Sequence, residues 1–230
     1  MLDELRQTVC DANLRLLAEG LVIKTWGNVS GIDRARGLIV IKPSGVSYDD
    51  MSPDQMVAVS LKTGEVVEGD LRPSSDTPTH LALYRVFEAI AGVVHTHSLY
   101  ATAWAQARRD IPALGTTHAD YFYGPIPCTR LMTPAEIEGD YEANTGKVIV
   151  DCFANLDPAR MPAALVANHG PFAWGDSPDD AVDNALYLEH IARIASETIR
   201  VDPDASPLQS DLLDKHHLRK HGPDKSYGQH

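Results

Sequence analysis

Three cysteines in 230 residues, Cys10, Cys128 and Cys152, are too few and too scattered for a disulfide framework, and none has CxxC-type spacing. Buried free thiols in a reducing, cytoplasmic compartment are the expectation. Positive charge is scarce as well. Against 32 acidic residues stand 20 lysines and arginines, a formal charge of −12. That excludes the basic footprint needed for generic binding to nucleic acid or an anionic membrane surface. Long apolar runs are missing too. The opening segment MLDELRQTVCDANLRLLAEG carries acids at Asp3 and Glu4 with an amphipathic period, and reads as neither a signal peptide nor a membrane span. Internal repeats, low-complexity tracts and any linker long enough to separate domains are likewise absent. What is present, 43% hydrophobic and 23% charged residues, is the composition of a soluble globular domain with one sizeable core.

Hydrophobic spacing supplies the elements. Residues 2–18 place Leu5, Val9, Ala12, Leu16 and Leu17 on one helix face, with Gly20 as the stop. Two strand-like runs flank a turn at 33–37, and the second delivers Lys42-Pro43-Ser44-Gly45 at its end. Another hairpin spans 56–61 and 65–68. A helix over 78–89, capped by Asp76 or Thr77 and with Pro78 at its first position, hands over to the strand-like GVVHTHS at 92–98. Beyond it the pattern predicts a short helix over 100–107, a partly extended stretch over 111–123 and a helix over 133–144. A helical or extended piece follows to 153, then an apolar strand over 163–167. The longest helix, 178–199, opens on Ser177-Pro178 with Asp179 and Asp180 in its first turn. Residues 203–207 break the chain before a last helix near Leu208. One α/β domain over 1–230, a mixed sheet with helices on both faces, fits this order.

Candidate chemistry gathers in three places. His95 and His97 stand at i and i+2 of the strand pattern, so their rings project to one side and make two corners of a transition-metal site. Alone, HxH is short and common, and two solvated loop histidines would look the same. His169, at the end of the 163–167 strand, offers a third corner, and Gly170 permits close approach. Three histidines with an open fourth position are the pattern of a catalytic rather than a structural zinc. Asp76 is a candidate fourth ligand or acid, or else a plain N-cap; His80 and His118 are expected to be structural. The second place is a set of loops, Gly27-Asn28, Lys42-Pro43-Ser44-Gly45 and Arg72-Pro73-Ser74-Ser75. Each joins small residues, hydroxyls or amides to free backbone N–H groups, the makings of a phosphate nest, with Lys42 as charge partner and Ser74 and Ser75 just ahead of a helix. Nothing local says that these loops converge. The third is the tail, where Lys215, Arg219, Lys220 and Lys225 form either a solvated helix face or a lid for an anionic substrate.

The segments WGNVS, IKPSG, PSSDTPTH, VVHTHS, GTTHADYFYG, NHGPFAWG and LDKHHLRKHG, with YGQ four residues further on, resemble the bacterial L-ribulose-5-phosphate 4-epimerases of the class II (metal-dependent) aldolase superfamily. The resemblance covers essentially the whole chain. HTH with a later NHG marks the superfamily; TTHADYFYG and LRKHG with YGQ are specific to the epimerase branch. The resemblance implies a three-layer α/β/α fold with a mainly antiparallel sheet. It implies interconversion of L-ribulose 5-phosphate and D-xylulose 5-phosphate, in arabinose catabolism, by breaking and remaking a carbon–carbon bond. The cofactor it implies is zinc, or another divalent metal such as manganese or cobalt. By the same resemblance His95, His97 and His169 are metal ligands, with Asp76 beside the metal. Gly27, Asn28, Ser44, Gly45, Ser74 and Ser75 match substrate- and phosphate-binding positions next to Lys42. Asp120 and Tyr227 match the acid/base pair, which reaches the site from an adjoining subunit of a cyclic homotetramer. His216 and Arg219 are similar to residues that close or charge the site, Thr116 and Glu142 to residues with lesser roles, and 208–230 would close over it. Aldolase relatives place a glutamate where this chain has Asp76, which argues for epimerisation over net cleavage. A sugar-phosphate aldolase, a metal-dependent hydrolase with Asp76 as base, and a binding domain like the adducin head are the other readings. Loss of the histidine triad would mark the last, and all three histidines stand.

Overall fold

Side-chain alternation along one strand reveals the layering in the computed structural model, which describes residues 2–222. In β1 (Asn28–Asp33), Ser30 faces one side of the sheet, its hydroxyl 2.7 Å from His80 Nδ1 and 2.9 Å from the Tyr84 hydroxyl. Gly31 faces the other side, where a Cβ would lie 2.8 Å from Leu5 and 2.9 Å from Pro178. Helices therefore cover both faces. Leu5 and Pro178 belong to α1 (Leu2–Ala18) and α7 (Pro178–Val201) on one face; His80 and Tyr84 belong to α2 (Thr77–Val86), which packs with α6 (Tyr141–Cys152) on the other.

The remaining strands are β2 (Leu38–Ile41), β3 (Val57–Ser60), β4 (Val66–Glu68), β5 (Gly92–His95), β6 (Ala163–Leu165) and β7 (Pro171–Gly175). They run in the order β4-β3-β2-β1-β5-β7-β6, and every pairing is antiparallel. The mainly antiparallel expectation holds, and the one parallel contact among the described residues is the isolated bridge between Cys128 and Leu165. Central strands such as LIVI of β2 and GVVH of β5 read as near-continuous apolar runs because neither face meets water.

Local chemistry sets the helix ends. Ser177 Oγ accepts the Asp180 N–H at 3.0 Å to start α7, with Pro178 in the first turn. The helix expected over 133–144 is instead two, α5 (Pro134–Glu138) and α6, separated at Gly139-Asp140 after a Thr133–Glu136 capping box. The stretch expected to be partly extended, 111–123, holds only a bridge from Ile111 to Ile126 and one helical turn, α4 (Thr116–Ala119). β7 escapes the sequence patterns: PFAWG is short and bracketed by turn residues. Leaving β5, the chain forms α3 (Leu99–Ala107), and the last element, α8 (Ser210–His221), lies against α4. All three cysteines are free, and among the described residues no helix is long and apolar enough to cross a membrane.

Among the described glycines the closest approach lies beneath the histidine strand. A Cβ on Gly92 would collide with the Ser177 carbonyl and lie 2.6 Å from Pro178 N, backbone atoms that cannot rotate away. Gly92→Ala is expected to cost about 3 kcal/mol, the upper end of the usual overpacking range. A denaturant-unfolding midpoint equal to that of the unsubstituted protein would contradict this.

Candidate active site

His95 ends β5, and the ladder sets its surroundings: Asn28 of β1 is its partner on one side and Phe172 of β7 on the other. Its ring stacks on Phe172, with centroids 4.2 Å apart, and Nδ1 donates to the Pro171 carbonyl at 3.0 Å. That bond fixes the tautomer and leaves Nε2 for a ligand. His97, just past the strand end, brings its own Nε2 to 3.1 Å from that of His95. His169 enters from the turn between β6 and β7, where Asn168 adopts φ +62°. One nitrogen from each ring lies within 4.8 Å of the other two. Lone pairs held this close want a shared cation, and three imidazoles are a donor set that suits a divalent transition metal. Burial, with the neighbouring histidines, lowers the pKa of His97 and of His169, the latter to about 4. Both rings are neutral at pH 7 and keep the lone pair a metal needs.

Asp76 occupies the N-cap position of α2, yet its side chain caps nothing. Its carboxylate accepts a 2.6 Å bond from Asn28 Nδ2. Burial opposes its charge, but His95, His80, Asn28 and His169 outweigh burial and hold it below the usual carboxylate range. Asn28 Oδ1 is buried with no hydrogen-bond partner among the described residues, an acceptor left over for a ligand. His80 is wholly buried on Ser30, with burial pushing it to about 3, and His118 Nε2 donates to the Gly124 carbonyl at 2.7 Å. Both are packed into the fold.

The nest exists because two of its loops are clamped together. Pro43 and Pro73 form an antiparallel bridge, the Ser44 N–H donates to the Arg72 carbonyl at 2.9 Å, and the Ser74 N–H to the Lys42 carbonyl at 3.0 Å. The third loop closes in through Gly27 at φ +76°, where a Cβ would lie 2.6 Å from Val22 and 2.9 Å from the His95 carbonyl. Lys42 is buried, its ammonium donating to the Thr25 carbonyl at 3.3 Å and standing 5.0 Å from the Tyr48 ring centre. Burial lowers its pKa, and Asp76 partly restores it. One cavity of about 540 Å³ is lined by Gly27, Asn28, Lys42, Ser44, Gly45, Ser74, Ser75, Asp76 and Glu142 together with the three histidines. That is the size of a small-molecule site.

Thr116, Asp120, His216 and Arg219 do not line this cavity. They meet where α8 crosses α4. Asp120 accepts from His216 Nδ1 at 3.0 Å and from Arg219 Nη2 at 3.0 Å on each oxygen, with Lys220 Nζ at 3.5 Å. Thr116 opens α4, and its carbonyl accepts the Asp120 N–H at 3.0 Å. Tyr227 lies outside the described residues. Cavity residues that escape the sequence reading include Trp26, an exposed indole 6.2 Å from the His97 ring, and Tyr141, whose hydroxyl is 3.4 Å from His169 Nδ1. Only the neighbouring Glu142 hints at the second.

Comparison with known proteins decides the ancestry. The sequence model of the class II aldolase and adducin N-terminal domain matches residues 7–196. This chain belongs to the class II aldolase family. L-Ribulose-5-phosphate 4-epimerase UlaF of Salmonella typhi is 55% identical to it over 228 residues, 99% of this chain and 100% of the relative. A solved L-fuculose 1-phosphate aldolase shares the fold, with a TM-score of 0.78 at 24% identity over 93% of this chain and 94% of its own. YgbL of Escherichia coli aligns with a TM-score of 0.73 at 26% identity, covering 93% and 98% of the two chains. The gathered His95, His97 and His169 could hold the divalent metal that the family points to.

Proposed function

We propose that this protein is an L-ribulose-5-phosphate 4-epimerase, interconverting L-ribulose 5-phosphate and D-xylulose 5-phosphate. The observation that carries the reading is one cavity holding both a three-histidine cluster and a clamped anion nest, in a chain matched end to end by a relative of that name. The C4 proton of a 2-ketose is not adjacent to the carbonyl, so it cannot simply be removed. Opening the C3–C4 bond frees an aldehyde carrying the phosphate; turning that aldehyde and closing the bond on its other face inverts C4. Zinc, or manganese or cobalt in its stead, held by His95, His97 and His169 with Asp76 alongside, supplies Lewis-acid stabilisation of the negative charge left on the three-carbon fragment.

The chain's own groups do the rest. The N–H groups of Gly45 and Ser75 and the hydroxyls of Ser44 and Ser74, with Lys42 and Gly27, grip the phosphate so that the freed aldehyde stays bound; the Ser44 and Ser74 N–H groups are engaged in clamping the two loops together. Asn28 and Glu142 face the sugar hydroxyls. Asp120 and Tyr227 exchange the hydroxyl proton, one on each face of the aldehyde. Asp120 stands away from the cavity wall of its own chain, which fits donation of the pair from an adjoining subunit of a cytoplasmic homotetramer. In that assembly Thr116, His216 and Arg219 come with Asp120, and α8 with the tail to residue 230 closes the single-domain enzyme's site.

The test is an assay on L-ribulose 5-phosphate that follows D-xylulose 5-phosphate and free glycolaldehyde phosphate together. Epimer without free aldehyde is expected; sustained aldehyde release would make the enzyme an aldolase instead. Lys42→Met removes the buried ammonium. It is expected to raise KM by about 10- to 100-fold, the worth of a charged hydrogen bond. An unchanged KM would remove Lys42 from the phosphate site.

A further inference from the structure

We infer that Tyr141 is a positioning residue for His169, its hydroxyl engaging Nδ1 and so orienting the ring with Nε2 left to face a metal. The inference rests on the three-histidine cluster being a metal centre. His95 has its Nδ1 committed to the Pro171 carbonyl and its ring clamped on Phe172. His169 has no such carbonyl among the described residues. It sits on a turn, partly buried, and the group beside its Nδ1 is the Tyr141 hydroxyl at 3.4 Å, with ring centroids 6.1 Å apart and tilted by 35°. With Nδ1–H donated to Tyr141 Oη, Nε2 carries the lone pair, the same tautomer that Pro171 imposes on His95. A ligand on a turn needs such a partner more than a ligand on a strand does.

The partner is itself held firmly. Tyr141 is the first residue of α6, and Thr145 Oγ1 donates to its carbonyl at 2.9 Å. One residue on, the Glu142 carbonyl accepts from Thr79 Oγ1 of α2 at 2.6 Å. Gly146 lets the two helices touch: a Cβ there would lie 2.5 Å from Ala82 Cβ and 3.1 Å from the Thr79 carbonyl. The α2 helix also carries Asp76 at its start. A single rigid helix pair thus sets both Asp76 and Tyr141 against the cluster, opposite the strands that bring His95 and the turn that brings His169.

Tyr141→Phe deletes only the hydroxyl. Zinc affinity is measured by competition with a chromophoric chelator, and cobalt(II) is then substituted to record its d–d absorption. The variant is expected to hold zinc about 10- to 100-fold more weakly, the usual cost of losing an outer partner of a ligating histidine. Its cobalt bands should shift, while the unfolding temperature of the metal-free protein stays the same. Zinc affinity within twofold and an unmoved cobalt spectrum would overturn the role. So would a raised KM with unchanged zinc affinity, which would make Tyr141 a substrate contact. If the unsubstituted protein binds neither ion, the metal centre itself is refuted, a failure separate from that of Tyr141.

Discussion

Chelation of the divalent ion is expected to stop turnover, by about a thousandfold or more, and zinc, manganese or cobalt added back is expected to restore it. The magnitude follows from the several kcal/mol that a Lewis acid contributes where negative charge develops, with about 1.4 kcal/mol for each factor of ten. The groups that would receive the ion are already gathered. His95 is braced on Pro171 and Phe172, His97 is kept neutral by burial and by His95, His169 by burial, His95 and His97, and Asp76 keeps its charge beside them. Three converging lone pairs repel when nothing lies between them, so the ion should also stabilise the fold. At a hundred times its dissociation constant, zinc should add about 2.7 kcal/mol, visible as a higher unfolding temperature. Full turnover in a rigorously metal-free sample would end the mechanism.

The metal corner is legible in the sequence because its signal is local. The i, i+2 spacing of His95 and His97 after an apolar run suggests two rings on one side, although only His95 lies within β5, and His169 follows another apolar strand. Asp76 is ambiguous for a physical reason: an aspartate ahead of Thr-Pro is what a helix cap looks like, and only the distant Asn28 diverts its carboxylate into the cavity. The convergence of the nest is invisible, since the Pro43–Pro73 bridge joins segments thirty residues apart. β7 gives no signal because its five residues lie between His169-Gly170 and Asp176-Ser177, with no room for a period to show. The break at Gly139 is hidden because Ile137 and Tyr141, four residues apart, continue a plausible helical pattern across it. Asp120 has no local signal at all. Only the resemblance marks it, and the three α8 partners of its carboxylate lie almost a hundred residues away.

Asp120→Asn is expected to lower turnover by about 100- to 10,000-fold with metal content intact, the range that a lost acid/base group usually costs. Asparagine keeps the shape but cannot take up a proton. Burial alone would favour the protonated acid; His216, Arg219 and Lys220 reverse that and hold the carboxylate below its ordinary pKa. A depressed carboxylate pKa gives stability that is present above the unfolded value and lost as pH falls through the folded one. The attachment of α8 to Asp120 should therefore persist through neutral and mildly acid pH and fail only below the usual carboxylate range, near pH 4. Asparagine also weakens the paired contacts from Arg219, so α8 should loosen at every pH, seen as faster amide exchange over Ser210–His221. Tyr227→Phe, acting on the opposite face, should lose turnover steeply without that loosening signature. If both variants turn over normally, the proton passes through other groups and the acid/base pair is misassigned. If only Asp120→Asn falls, and falls in step with the loosening of α8, Asp120 is an anchor for the helix and not a base.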